Sequence, residues 1–205
     1  MTGRIVDTNV WIVASGGGED CWMSEDCVES CLQWMSEFRD SKEPLIVDAS
    51  SFGEGNVPGT TVIKELRNNL TQGSFGHDLL NRHFMQDFLF ELIEIEYDSE
   101  GANLPHHLQL PGFEPADRKW VALHINHPAR PPIHNAADGD WIKQKSHLKT
   151  AGIVVVNLCE AELKKRVLDR EQGKKTKSRS EKTGEKAAIS RKKKSLKPAT
   201  EGQQK

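Results

Sequence analysis

The sequence predicts an α/β domain built on a central, mostly parallel sheet with helices on both faces, three layers in all. Three observations predict it. Short apolar runs alternate with stretches whose apolar residues recur at helical spacing, the pattern of a doubly wound sheet. The run Ile153-Val154-Val155-Val156 is strongly β-branched and follows a glycine, Gly152, that ends a helix. Acidic residues stand where strand-like runs stop, as at Asp7 and Asp138, and open α/β sheets gather their ligand sites beyond the carboxyl ends of their strands.

Taken in order, Gly3 to Asp7 reads as a short buried strand, and Ser15-Gly16-Gly17-Gly18 breaks the chain. From about Glu19 to Phe38 the residues Cys27, Val28, Cys31, Trp34, Met35 and Phe38 make an amphipathic helical stripe. Pro44 to Asp48 is a second buried strand, and Ser50 to Gly59 a loop. Thr60 or Thr61 then caps a helix with Val62, Ile63, Leu66 and Leu70 on one side. A further helix is predicted from about Gly76 to Phe90, then a strand at Leu92 to Glu96. Asp98 to Pro115 is irregular, broken by Pro105, Pro111 and Pro115. The next helix, Ala116 to Asn126, opens with Asp117 in its first turn, where a negative charge suits the helix dipole. A strand at Ile133 to Ala136, the turn Asp138-Gly139-Asp140 and a helix from Trp141 to Thr150 lead to the last strand.

The charge is divided unevenly. Residues 164–205 carry 16 lysines and arginines against 5 acids, while residues 1–163 carry 12 against 25. An acidic domain over residues 1–163 with a basic, disordered tail over 164–205 follows from that split and from the loss of large apolar residues after Leu163. The tail, with Lys174, Lys175, Lys177, Arg179 and the run Arg191-Lys192-Lys193-Lys194, reads either as a solvated extension or as an electrostatic footprint for nucleic acid. No apolar stretch is long enough to span a membrane, and Met1-Thr2-Gly3-Arg4 leads into a strand without a signal-peptide core. The cysteines Cys21, Cys27, Cys31 and Cys159 fit no zinc spacing, so reduced core thiols in a cytoplasmic protein are expected.

Asp7, Glu65, Asp117 and Asp138 are far apart in sequence, yet each lies at the edge or on the face of an element. Carboxylates brought together from such places repel one another unless a cation or proton neutralises them. A divalent-metal site is the reading they suggest, with phosphate-ester hydrolysis as its chemistry. Each also has an ordinary structural reading: Asp117 as a dipole-compensating acid, Asp138-Gly139-Asp140 as a turn, Glu65 as a solvated helix residue. Asp7 resists it most, because a carboxylate directly after a buried strand is costly without a partner. Trp120 and Trp141 fall at core spacing, though either ring suits base stacking. His106-His107 and the pair His124 and His127 lack the spacing of a zinc protease motif, and Ser15 to Gly18 lacks the lysine of a phosphate-binding loop.

The same residues carry a family pattern. Ile5-Val6-Asp7-Thr8-Asn9-Val10-Trp11 resembles the opening of a PIN domain, and Ile63-Lys64-Glu65-Leu66 is similar to that family's helical glutamate. Phe113-Glu114-Pro115-Ala116-Asp117-Arg118-Lys119-Trp120-Val121-Ala122-Leu123 resembles its third acidic motif, and Asn135-Ala136-Ala137-Asp138-Gly139-Asp140-Trp141 its fourth. The resemblance spans roughly residues 3–158 with all four motifs in order. It departs at Ala136-Ala137, where many members carry a hydroxyl residue beside the aspartate, and in the basic tail.

The resemblance implies a PIN-like fold and a Mg²⁺- or Mn²⁺-dependent endoribonuclease, in many members a toxin held by a protein antitoxin, with homodimers also common. It implies Asp7, Asp117 and Asp138 as metal ligands, Glu65 as the residue that positions or deprotonates the attacking water, and Asp140 as support for a second ion or for Asp138. Thr8 and Asn9 would bond the ligand carboxylates or the scissile phosphate, Arg118 and Lys119 would meet substrate, and Arg191, Lys192, Lys193 and Lys194 would hold nucleic acid through the tail. A DNA-directed nuclease of the same chemistry and a non-catalytic module binding RNA or protein remain the alternatives.

Overall fold

A computed structural model describes residues 3–16, 23–53, 57, 60–85, 89–105, 108, 110, 113–170 and 172. The tail contacts expected at Arg191 to Lys194, and the pair His106-His107, lie outside the described residues. The chain divides into two units, Met1–Lys164 and Lys165–Lys205. All the described strands, and Asp7, Glu65, Asp117 and Asp138, lie in the first unit.

The architecture is mixed α/β. Strand β1 (Ile5–Val6) pairs in parallel with β6 (Ile133–Asn135), and β6 in parallel with β7 (Val155–Asn157). Strand β2 (Leu45–Asp48) pairs in parallel with β3 (Phe90–Ile93). A single parallel bridge between Arg4 and Leu45, made by Arg4 N to Pro44 O at 2.9 Å and Ile46 N to Arg4 O at 2.9 Å, lays β2 beside β1. Ile5, Val6, Leu45, Ile46, Val47 and Ile133 are fully buried. A strand covered on both faces cannot alternate polar and apolar, which is why these runs read as continuous apolar segments.

The helices are α1 (Thr8–Ala14), α2 (Glu25–Ser41), α3 (Val62–Asn69), α4 (Phe75–Met85), α5 (Arg118–Asn126), α6 (Asp140–Lys143) and α7 (Lys145–Thr150), followed by α8 over residues 160–170. Helix α5 packs across β1, β2 and β6, and α1 packs against α2, α3 and α4. Thr61 caps α3 as expected, its Oγ1 accepting from Lys64 N at 3.4 Å.

Several elements differ from the sequence reading. Helix α1 is not among the predicted elements: Val10, Ile12 and Val13 are β-branched and poor helix formers, but Asp7 caps the segment and four of its apolar residues are buried in the core. Among the described residues α4 spans Phe75–Met85, and β3 begins at Phe90 rather than Leu92. The stretch read as irregular contains a small antiparallel hairpin, β4 (Tyr97–Asp98) and β5 (Gly101–Ala102). Its turn is pinned by Asp98 Oδ1, which accepts from Glu100 N and Gly101 N at 2.8 and 3.1 Å. Gly101 has φ +142°, and a Cβ there would stand 2.9 Å from Pro115 O, so glycine is required where the hairpin meets the approach to α5. The helix expected over 141–150 is two short ones meeting at Gln144.

The expectation of reduced core thiols is corrected: Cys27 and Cys159 are joined as a disulfide. Spacing could not show it, because the two lie 132 residues apart.

Candidate metal centre

Asp7 follows β1 directly and caps α1. Its Oδ1 accepts from Asn9 N at 3.2 Å and its Oδ2 from Trp141 Nε1 at 3.0 Å. Asp138 lies three residues beyond β6, the strand next to β1. Its Oδ1 accepts from Asp140 N at 2.8 Å. Asp117 closes a short 3-10 turn, Pro115–Asp117, from which α5 starts. The three carboxylates converge: one oxygen of each lies within 4.8 Å of the other two.

Two asparagines hold this arrangement. Asn9 Oδ1 accepts from Ala136 N at 2.7 Å and Ala137 N at 3.1 Å, fastening the start of α1 to the loop that carries Asp138. Asn135 brackets the same loop, its Nδ2 donating to Asp138 O at 3.0 Å and its Oδ1 accepting from Asp138 N at 3.2 Å. It also donates to Asn157 Oδ1 on β7 at 2.7 Å. The buried Asn135 amide thus finds its partners within the site, as buried polar groups must.

The electrostatics follow from burial and crowding. Burial first, then the charges of Asp138 and Glu65, push the Asp7 carboxyl up to about 7, although the bonds from Asn9 and Trp141 favour its ionised form. Asp117 is pushed up to about 8, by burial first and then by Asp7 and Asp138, with Lys119 acting against the rise. Asp138 is raised as well, chiefly by burial. Carboxylates this close and this buried keep their protons to higher pH than isolated ones unless a cation replaces those protons.

Glu65 stands outside this trio. Its Oε2 takes a 2.5 Å bond from Lys119 Nζ, and its charge reaches Asp7. Lys119, expected among the substrate contacts, is 2% exposed and also bonds Ala116 O, so its ammonium serves the acidic cluster from within. Arg118 Nη1 lies 3.4 Å from Glu100 Oε2 at the hairpin turn. The carboxylate of Asp140 pairs with Lys143, and Asp140 meets Asp138 through its backbone N–H. Thr8 is buried beside Asp7, its hydroxyl without a hydrogen-bond partner among the described residues. Trp120 and Trp141 are core residues, the second packed edge-on against Phe113 at 5.1 Å. His124 and His127 are structural: the first bonds Pro131 O at 2.8 Å, the second Glu91 Oε1 at 2.8 Å.

Sequence reasoning missed Asp48. It ends β2 as Asp7 follows β1, and it is fully buried. Its Oδ1 accepts from Ser51 Oγ at 2.8 Å and Val62 N at 2.9 Å, which fixes the start of the helix bearing Glu65. Burial first, and then the charges of Asp48 and Glu65, hold the Tyr97 phenol protonated well above its usual range. The signal was present: Leu-Ile-Val-Asp repeats the pattern of Ile-Val-Asp at residues 5–7.

No family model, no curated protein and no solved structure matches this chain.

Proposed function

We propose that the chain is a divalent-metal-dependent endoribonuclease of the PIN type, with a three-layer α/β/α domain. One observation carries the proposal. Carboxylates from residues 7, 117 and 138 meet within 4.8 Å in a largely buried setting that favours their protonation. Hard oxygen donors of this kind suit Mg²⁺ or Mn²⁺ rather than soft metals. Binding such an ion would relieve the mutual repulsion that otherwise costs protons, so the residues present fit it.

Asp7, Asp117 and Asp138 would hold the ion. When bound, it supplies Lewis-acid polarisation of a phosphoryl oxygen and water of lowered pKa. The protein's own residues do the rest. Trp141 and Asn9 fix the direction of the Asp7 oxygens, and Asn135 fixes the Asp138 loop. Glu65, whose charge reaches Asp7, would position or deprotonate the attacking water. Its bond to Lys119 holds that side chain in one orientation. Thr8, beside Asp7, would bond the ligand carboxylates or the scissile phosphate through a hydroxyl that has no partner among the described residues. The basic tail would add salt-dependent affinity for the RNA backbone without reading its sequence. An antitoxin-type inhibitor or a second copy would shield the acidic cleft.

The test is cleavage of matched RNA and DNA oligonucleotides by the full chain with Mn²⁺ or with a chelator, alongside Asp7→Asn. RNA cleavage that needs Mn²⁺ and falls to background in a folded Asp7→Asn variant is the expected result. Full activity in that variant would reject the assignment. Preferential cutting of DNA would redirect it to a DNA nuclease. RNA binding without turnover, and no Mn²⁺ uptake by calorimetry, would mark a binding module instead.

A further inference from the structure

We propose that Cys27, Cys31 and Cys159 form a buried thiol–disulfide exchange centre that controls how firmly the Asp138 loop is held. Cys27 and Cys31 are one helical turn apart on α2 and so share a face. Cys159 comes from the turn after β7. Its sulfur is bonded to Cys27, and the sulfur of Cys31 lies 3.7 Å away from it. The three residues are 4%, 0% and 7% exposed, so the sulfurs meet inside the core.

This geometry permits an exchange that needs no external oxidant. Cys31 gives up its proton, and its thiolate attacks Cys159 Sγ. A Cys31–Cys159 bond forms, the Cys27–Cys159 bond breaks, and Cys27 leaves as a thiolate that takes up the proton. The redox state is unchanged, and the link from α2 to the β7 end moves by one helical turn. Forming the first bond from two thiols releases two electrons and two protons, which a low-molecular-weight disulfide such as oxidised glutathione accepts as it becomes two thiols.

The residues just before Cys159 are those that fasten the acidic loop. Leu158 N donates to Asn135 O at 2.8 Å, and Asn157 Oδ1 accepts from Asn135 Nδ2 at 2.7 Å. Asn135 in turn holds both the N–H and the carbonyl of Asp138. Anchoring Cys159 to α2 therefore restrains the strand end from which the loop is hung. Ser24, the cap of α2, separately donates through its N–H and hydroxyl to Glu162, at 3.1 and 2.5 Å. That second tie keeps the two segments together when the disulfide opens, so reduction loosens the loop without separating its supports. The metal-centre reading enters only in giving Asp138 its importance; the sulfur chemistry stands apart from it.

The experiment maps the bridges and the loop in the full chain. Protein equilibrated in oxidised or reduced glutathione is trapped with N-ethylmaleimide, cut after Glu29 to separate Cys27 from Cys31, and analysed by mass spectrometry. Wild type is expected to show Cys27–Cys159 with a minor Cys31–Cys159 product. Cys27→Ala is expected to form Cys31–Cys159, Cys31→Ala to keep Cys27–Cys159, and Cys159→Ala to show neither of these bridges. Amide exchange over residues 135–140 should run roughly ten-fold faster in the reduced wild type and in Cys159→Ala than in the oxidised wild type. The proposal is overturned if no Cys31–Cys159 peptide arises, either in a folded Cys27→Ala variant or, should that variant not fold, in the wild type. Exchange over 135–140 that ignores the bridge would overturn the coupling. So would one Zn²⁺ held per reduced chain with all three cysteines shielded from maleimide, which would make this a thiolate metal site. None of these readouts depends on RNA cleavage.

Discussion

The indole of Trp141 does two jobs that composition alone cannot separate. Its ring is 1% exposed and packs edge-on against Phe113, while its Nε1 donates to Asp7 Oδ2 at 3.0 Å. A buried N–H aimed at a carboxylate favours the ionised form and fixes that carboxylate's direction, and where a carboxylate holds a metal such supporting bonds are typically worth about 10-fold or more in affinity. Replacing Trp141 with Phe keeps most of the packing and removes only the donor. The expected outcome is a Mn²⁺ affinity lowered by about 10-fold with little loss of fold, read by calorimetry and circular dichroism. An unchanged affinity would show that Asn9 N alone orients Asp7. At this scale the sequence revealed residue types but not partners. Asp7, Asp117 and Asp138 were legible because a carboxylate at an element's edge is conspicuous. The roles of Asn135 and Asn157 were not, since an amide's partner is set by strands 22 residues apart.

Helix α1 is positioned by its neighbours as much as by its own cap. Gly76, near the start of α4, donates its N–H to Ser15 Oγ at 2.9 Å, and a Cβ built there would lie 2.7 Å from that oxygen and 3.0 Å from Trp11 O. Alanine is the better helix former by about 1 kcal/mol, whereas forcing a methyl against a backbone carbonyl costs about 1–3 kcal/mol. Sterics win, so Gly76→Ala should lower stability by about 1–2 kcal/mol in a urea melt. A more stable variant would mean that α4 slides freely over α1. The contest between local propensity and packing also explains which elements could be read from sequence. Helices α2 and α3 carry clear apolar stripes and side-chain caps, α5 carries an apolar stripe, and β2 is an apolar run with punctuated ends. Helix α1 is built from residues that prefer strands and is stabilised by burial, and the β4–β5 hairpin has two residues per strand, too few for alternation to register.

For the molecule as a whole, the acidic centre and the buried histidines bias stability in opposite directions with pH. Asp7 and Asp117 are lifted from an ordinary 3.8 to about 7 and about 8. Between those limits the folded, metal-free chain binds more protons than the unfolded one. The stability this gives is full below the ordinary carboxyl range and drains away as pH rises through 7 and 8. His83 and His134, lowered mainly by burial to about 4, act the other way: their contribution is full above 6.5 and is lost as pH falls toward 4. A plain comparison of melting temperatures across pH therefore mixes two effects. The increment caused by metal separates them, because a cation at the three carboxylates displaces their protons and leaves the histidines untouched. Saturating Mn²⁺ should raise Tm more at pH 8 than at pH 6, and calorimetry near pH 7 in buffers of different ionisation heat should show net proton release. Asp7→Asn should shrink both effects. An increment equal at the two pH values, with no proton release, would mean that the ion binds elsewhere and that these carboxyls are buried acids without a cation to replace their protons.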